Sequence, residues 1–458
     1  MTAGGDGATE AEAARIPAGR SLRPLAGVLT AMALSLTGTR ISLVALPWFV
    51  LVTTGSATRT GLVVFCEMAP YVLVKAFTGP VVDRAGPRAV SWTTDLASAT
   101  AAALVPLLHV LHLLTFPLLL ALVAVIGAAR GPGDLAKEVM VPEAADRAAV
   151  PLERATGLSG VVERLASTIG PAAGGALVAL VGPLTGLVVN AVCLVSGSAV
   201  VALVLPRGMG RAAAEDPPGR NGGAEAEPGY WKRFGEGFTF LRGEPLLLTV
   251  IVMVGITNLL DAAIGSVLIP VWVRESGSGP AAIGLMGSAM GAAAVAGSLI
   301  AATVAHRLRR RTVVLAGFLL AGAPRFLVLA ADAPLGMVLA VFAVSGFGAG
   351  FINPVLGAVL FERVPRRMLG RVNALGDSLA WAGIPLGGLL AGAAVAAAGL
   401  TPVLLTCGIA YFLTTNLAGL RREWREMDRT GEGADRTGDG ADRTGGGAAG
   451  TDVGKPVT

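Results

Sequence analysis

The sequence predicts an all-α polytopic membrane protein, with twelve transmembrane helices arranged as two six-helix, pseudo-symmetric bundles. Three observations carry that expectation. The chain has 458 residues, of which 53% are hydrophobic and only 15% charged, with a mean hydropathy of +0.68; a soluble domain carries about 25% charged residues. The apolar residues come in runs of about 20, the length that crosses a hydrocarbon core at 1.5 Å per residue, whereas a membrane barrel would show short alternating strands. The pattern also repeats about a central break.

Taken in order, the apolar segments are 25–53, 60–81, 88–111, 114–137, 155–180 and 183–205, then 245–273, 280–304, 311–331, 335–360, 371–398 and 401–420. The fourth and tenth carry polar residues towards their ends. One set of connections is rich in arginine: Arg84 and Arg88, Arg147 and Arg154, Arg307 to Arg311, and Arg363 to Arg371. The opposite set holds only Arg59 and Arg274. By the positive-inside rule both termini face the cytoplasm of a plasma-membrane protein with an even number of spans.

The remaining chain falls into place around these runs. Residues 1–22 are polar, lack a cleavable signal pattern and are expected to be a disordered cytoplasmic N-terminus. The first bundle is 23–205 and the second 244–420. Between them, 206–243 begins as a flexible Pro/Gly/Ala/Glu linker and ends in Tyr-Trp-Lys-Arg-Phe-Gly-Glu-Gly-Phe, whose aromatics and basic residues at helical spacing predict an amphipathic helix on the cytoplasmic face. The tail 421–458 repeats Asp-Arg-Thr-Gly and reads as disordered. At an offset of 223 residues, Ala45–Val50 falls on Leu268–Val273 and Arg84 and Arg88 fall on Arg307 and Arg311; Arg154 and Arg371 match at a slightly shorter offset. Parallel repeats of this kind characterise secondary transporters with a site between the halves.

Several classes are disfavoured. Cys66, Cys193 and Cys407 lie in apolar runs without paired spacing, so neither disulfide nor metal is expected. The net charge of +5 sits in loops as a topology signal and does not point to nucleic acid. No Walker loop is present, and three scattered histidines build no catalytic constellation, so an enzyme, a cofactor and direct ATP drive are not expected. The expected partners are the bilayer, a small-molecule substrate and protons, with the protein monomeric.

The most specific stretch is Gly79–Arg88, GPVVDRAGPR, read as a short charged turn. Gly79 would let two helices approach, Gly86 would permit a tight turn, and Asp83 would cap a helix end or pair with a neighbouring base. Gly79, Asp83, Arg84, Gly86 and Arg88 match the Gly-x-x-x-Asp-Arg-x-Gly-x-Arg loop motif of the major facilitator superfamily, which the chain resembles over 25–420. The resemblance implies a conformational lock, with Asp95 in helix 3 as a partner of the loop. In the second repeat Ala302 and His306 replace the glycine and the aspartate, so the lock is expected to be asymmetric. A narrower resemblance, on Val141–Arg147, Gly235–Arg242 and Gly370–Ala374, is to the enterobactin-exporter and macrolide-efflux branch; it implies proton-driven export of bulky, partly apolar molecules. Gly170, Pro171, Gly174 and Gly175 in helix 5 resemble the glycine–proline motif of drug/proton antiporters, and proline there would kink the helix. Ordinary small-residue packing is the competing account.

Charges inside membrane helices are costly and therefore functional candidates. Arg40 in helix 1 and Asp261 in helix 7 fall at nearly the same depth in symmetry-related helices, and the sequence reading pairs them across a cavity, with Asp261 as a proton acceptor or one half of a structural ion pair. Glu67 in helix 2 is the other candidate for proton binding, alternatively a hydrated residue at the outer mouth. Arg130 in helix 4 corresponds in the resemblance to a buried arginine of proton antiporters, although its spacing fits poorly. Asn258 is a candidate cavity residue. Glu163 is expected to pair with loop charges, and Arg325 has no evident partner. The expected function is secondary active efflux of a hydrophobic or amphiphilic small molecule, a drug, macrolide-like compound or siderophore, by alternating access. Import on the same fold, or a non-transporting scaffold or sensor, are the alternatives.

Overall fold

A computed structural model describes residues 21–207, 209, 238–304, 308–364, 369–421 and 423–424. The N-terminal segment 1–20, most of the linker, the loop residue His306 and the repetitive tail lie outside the described residues. Of the amphipathic linker helix, only 238–243 is described, and it is helical.

The long helices are α1 (Arg23–Thr54), α2 (Ala57–Phe77), α3 (Pro87–Val110), α4 (Phe116–Ala148), α5 (Leu152–Val181) and α6 (Pro183–Val204) in the first half. In the second they are α7 (Pro245–Glu275), α8 (Ala281–Val304), α9 (Arg310–Ala330), α10 (Leu335–Arg363), α11 (Leu369–Trp381 and Ile384–Ala398) and α12 (Leu400–Leu420). Among the described residues, eleven of these are long and apolar enough to cross a membrane. The other, α3, has 24 residues and packs between α4 and α6. Trp92, Thr93, Thr94 and Asp95 lower the apolarity of its first half.

Packing repeats between the halves. In the first half α1 packs on α5 and α6, α2 on α4, and α3 on α4 and α6. The second half reproduces each pairing: α7 with α11 and α12, α8 with α10, α9 with α10 and α12. Two arginines do equivalent work. Arg88 at the start of α3 donates from Nη2 to the Ala202 carbonyl at 2.5 Å, near the end of α6, and Arg311 at the start of α9 donates to the Gly419 carbonyl at 3.0 Å, near the end of α12. A cation at these carbonyls offsets the negative end of the helix dipole. Gly182 and Gly399, at φ +101° and +81°, open α6 and α12 at the same offset of 217 residues as Ala202 and Gly419.

The expected charged turn is largely helical. Gly79–Ala85 forms a short helix, and the direction changes at Gly86, whose φ of +86° is left-handed and suits glycine. Gly79, in contrast, has nothing within 4 Å of where a Cβ would stand, so no helix approaches there. Its expected role as a close-contact residue is not what the fold uses.

The two halves meet along α2–α11 and α5–α8. Both contacts concentrate at the end of the bundle away from the arginine-rich loops. A Cβ on Gly61 would run into the Gly388 carbonyl oxygen, and Thr58 Oγ1 donates to the Gly392 carbonyl at 3.2 Å. On the other side, Gly175 and Gly284 pack backbone to backbone, and Ser288 Oγ donates to the Thr168 carbonyl at 2.7 Å. Small residues let the helices approach this closely. Together the contacts seal that end, and a cavity of about 570 Å³ lies between the seal and the basic end.

Candidate functional site

The cavity is built on α1, α2, α4 and α5, with Trp381 and Ile384 of α11 as its far wall. Two ladders run along its floor, of which Glu67 is buried and does not itself line the cavity. On α2, Glu67, Tyr71 and Lys75 recur every four residues; on α4, Arg130, Asp134 and Glu138 do the same. Such spacing places each set on one helix face. The two helices run in the same direction, so the rungs meet in order. Arg130 Nη1 donates to Glu67 Oε1 at 3.2 Å, and the guanidinium lies 4.3 Å from the centre of the Tyr71 ring. One level on, Lys75 Nζ stands 3.7 Å from Glu138 Oε1 and over the Trp381 ring at 5.2 Å. Gly127, one turn before Arg130, makes the approach possible: a Cβ there would strike the backbone carbonyl of Glu67.

Arg130 is incompletely satisfied. Its Nε is buried without a hydrogen bond, and the nearest second acid, Asp134, waits at 3.8 Å. The guanidinium is therefore committed to Glu67 and adjacent to a second carboxylate. Glu67 itself is buried, which disfavours the alternative of a hydrated residue at the outer mouth. Behind the ladders, Lys137 Nζ donates to Asp95 Oδ1 at 2.8 Å and Ser35 Oγ donates to Asp95 Oδ2 at 3.5 Å. Both Asp95 and Lys137 are buried, so the carboxylate of Asp95 is held by α4 and α1 rather than by the Gly79–Arg88 stretch. In that stretch Arg84 is exposed and Arg88 serves the end of α6; the side chain of Asp83 lies outside the description, and the lock expected there remains a proposal.

Arg40 and Asp261 do not meet. Asp261 Oδ1 accepts from Arg325 Nη2 at 2.6 Å, with Tyr411 and Thr257 alongside. Arg325, which had no partner in the sequence, is buried, while the Asp261 side chain is 40% exposed. Directly after Asp261, α7 widens into a π-helical turn, Ile264–Leu268, one turn before Pro270 removes a backbone donor. Asn258 does not point freely into a cavity. It donates from Nδ2 to the Ala380 carbonyl at 2.9 Å, beside the interruption of α11 at residues 382–383.

Arg40 lines the cavity from α1. Its stem crosses α5 at Gly170, where a Cβ would collide with Arg40 Cβ. The glycine–proline stretch thus divides between two neighbours. Gly170 and Gly174 pack against Arg40 and Ile41 of α1, whereas Pro171 and Gly175 pack against Gly284 of α8. α5 continues as a helix through Pro171.

Sequence reasoning missed Tyr71, Lys75, Asp134, Lys137 and Glu138. For all but Lys137, which lies behind the ladders against Asp95, the signal was the four-residue spacing on α2 and α4, which appears only when charges are read as helix faces.

The comparisons agree with this architecture. The family model described as "Transmembrane secretion effector" (MFS_3) matches residues 23–437. The multidrug efflux pump Tap of Mycobacterium tuberculosis is 30% identical over 407 residues, covering 88% of this chain and 94% of that protein. Among solved structures, a mutant of the nucleoside transporter NupG superposes with a TM-score of 0.68 at 15% identity, covering 89% of this chain and all of the other. A bacterial homologue of the human lysosomal transporter Spinster, inward-facing and occupied, superposes with a TM-score of 0.64 at 13% identity over 89% and 96% of the two chains. With its helical membrane fold, its repeated halves and a match across nearly all the apolar chain, this protein belongs to the transmembrane secretion effector family of major facilitator superfamily transporters.

Proposed function

We propose that this transporter expels a hydrophobic or amphiphilic small molecule in exchange for protons, by rocking of α1–α6 against α7–α12. The observation that carries the reading is the Glu67–Arg130–Asp134 relay on the cavity floor. A buried carboxylate that holds a cation in one protonation state and releases it in the other converts a proton into a movement of charge. Protonation of Glu67 frees Arg130 to turn towards Asp134, and the buried Nε without a partner is the donor available for that bond. Efflux as the direction rests on the similarity to a protein named as a multidrug efflux pump.

In this reading the arginine-rich loops and both termini are cytoplasmic, and the described state is open to the cytoplasm and sealed outside. Seal and cavity are complete within one chain, which suits a monomer. The Gly79–Arg88 stretch, with Asp83, stays the proposed lock for the opposite state.

The test is accumulation of a compound panel in cells with and without the protein, in the presence and absence of a proton uncoupler. The reading expects lower accumulation of some amphiphilic compounds, abolished by the uncoupler. Equal accumulation throughout sinks export for that panel, and export that survives the uncoupler sinks proton coupling.

A further inference from the structure

The cavity's charges are mostly spoken for. Glu67 holds Arg130, Asp95 holds Lys137, and Glu138 stands against Lys75. Two lining charges of opposite sign, Arg40 on α1 and Glu163 on α5, have no ion pair or hydrogen bond at contact distance to any described residue. They are near enough for each to feel the other's charge. Both positions are fixed by the fold. The stem of Arg40 is clamped over Gly170, and Glu163 lies two helical turns from Gly170 on the same helix, towards the basic end. Two opposite charges without a contact partner in one cavity form a receptor for a molecule that carries both signs. Arg40 is partly buried and Glu163 is exposed, and each gains a charge-assisted hydrogen bond when a complementary group of a ligand reaches it. Tyr71 and Trp381, in the same lining, offer aromatic faces to a flat ligand body.

We propose that Arg40 and Glu163 form a split-charge receptor selecting zwitterionic substrates, Arg40 taking the anionic group and Glu163 the amine. The proposal rests on the transport reading above and narrows its substrate to molecules with an acid at one end and a basic nitrogen at the other.

The experiment uses the full-length protein in lipid nanodiscs and three fluorescent probes: ciprofloxacin, a zwitterion near neutral pH; its methyl ester, which lacks the anion; and its N-acetyl derivative, which lacks the ammonium. Fluorescence anisotropy gives a Kd for each. The wild type is expected to bind the zwitterion about tenfold more tightly than either blocked form. Arg40→Gln should remove the preference over the ester while still binding the ester, which also shows that the variant is folded. Glu163→Gln should remove the preference over the N-acetyl compound in the same way, and Arg40→Lys should keep the wild-type order. Equal binding of all three probes by the wild type, no binding of any, or a uniform loss in both Gln variants overturns the proposal. These outcomes leave the accumulation assay untouched, so failure of the receptor and failure of the transport reading are separable.

Discussion

At the scale of single residues, the fold spends its buried charges in pairs, and the pairs set what a substitution does. Removing one partner of a buried ion pair leaves the other uncompensated at about 3–5 kcal/mol. Lys137→Ala, which strands the buried Asp95, should therefore lower thermal stability markedly, and Asp95→Asn combined with Lys137→Ala should recover much of the loss; melting curves of the purified variants measure both. No such recovery would mean that Asp95 is stabilised chiefly by Ser35. The sequence made Glu67, Asp95, Arg130 and Asp261 visible, because a charge in an apolar run stands out. It did not show the partners. Equal depth in related helices suggested Arg40 with Asp261, but depth fixes only one coordinate, and Arg325 reaches Asp261 from α9 at 2.6 Å.

At the scale of helices, small residues decide which faces touch. Gly127 is the clearest case: a side chain there meets the backbone of α2, so Gly127→Leu should push α4 off α2 and break the Glu67–Arg130 contact. The expected result is loss of transport with a destabilised protein, whereas Gly79→Leu, with open space around it, should cost little in stability. Parallel melting curves and efflux assays distinguish the two. Helix existence and order were legible from run length and turn residues. The helical character of Gly79–Ala85 was not, because its glycine, proline and charges read as a turn and only Gly86 adopts the left-handed backbone of one. The break in α11 was not read, although Gly383 and Pro385 mark it in the sequence; Asn258 donates to the Ala380 carbonyl beside it from another helix.

At the scale of the whole molecule, the repeat was legible early, and the structure gives it a physical content: matching helix pairs in each half and an arginine serving each terminal helix. The seal was not legible, since backbone contacts such as Gly175 to Gly284 leave no trace in hydropathy. Gly284→Leu should wedge that seal. In a background without Cys66, Cys193 and Cys407, a cysteine replacing Thr58 should then react faster with an impermeant maleimide, and transport should fall. Unchanged labelling would show that the seal tolerates the side chain and does not define the state.

The central claim is that the Glu67–Arg130–Asp134 relay couples proton binding to transport. Its most direct test is the purified protein in proteoliposomes, with an exported compound and an imposed pH gradient. The account predicts gradient-driven accumulation by the wild type, and a Glu67→Gln variant that still exchanges labelled for unlabelled compound but no longer accumulates it. Undiminished gradient-driven accumulation by Glu67→Gln would contradict the account and move the coupling site elsewhere.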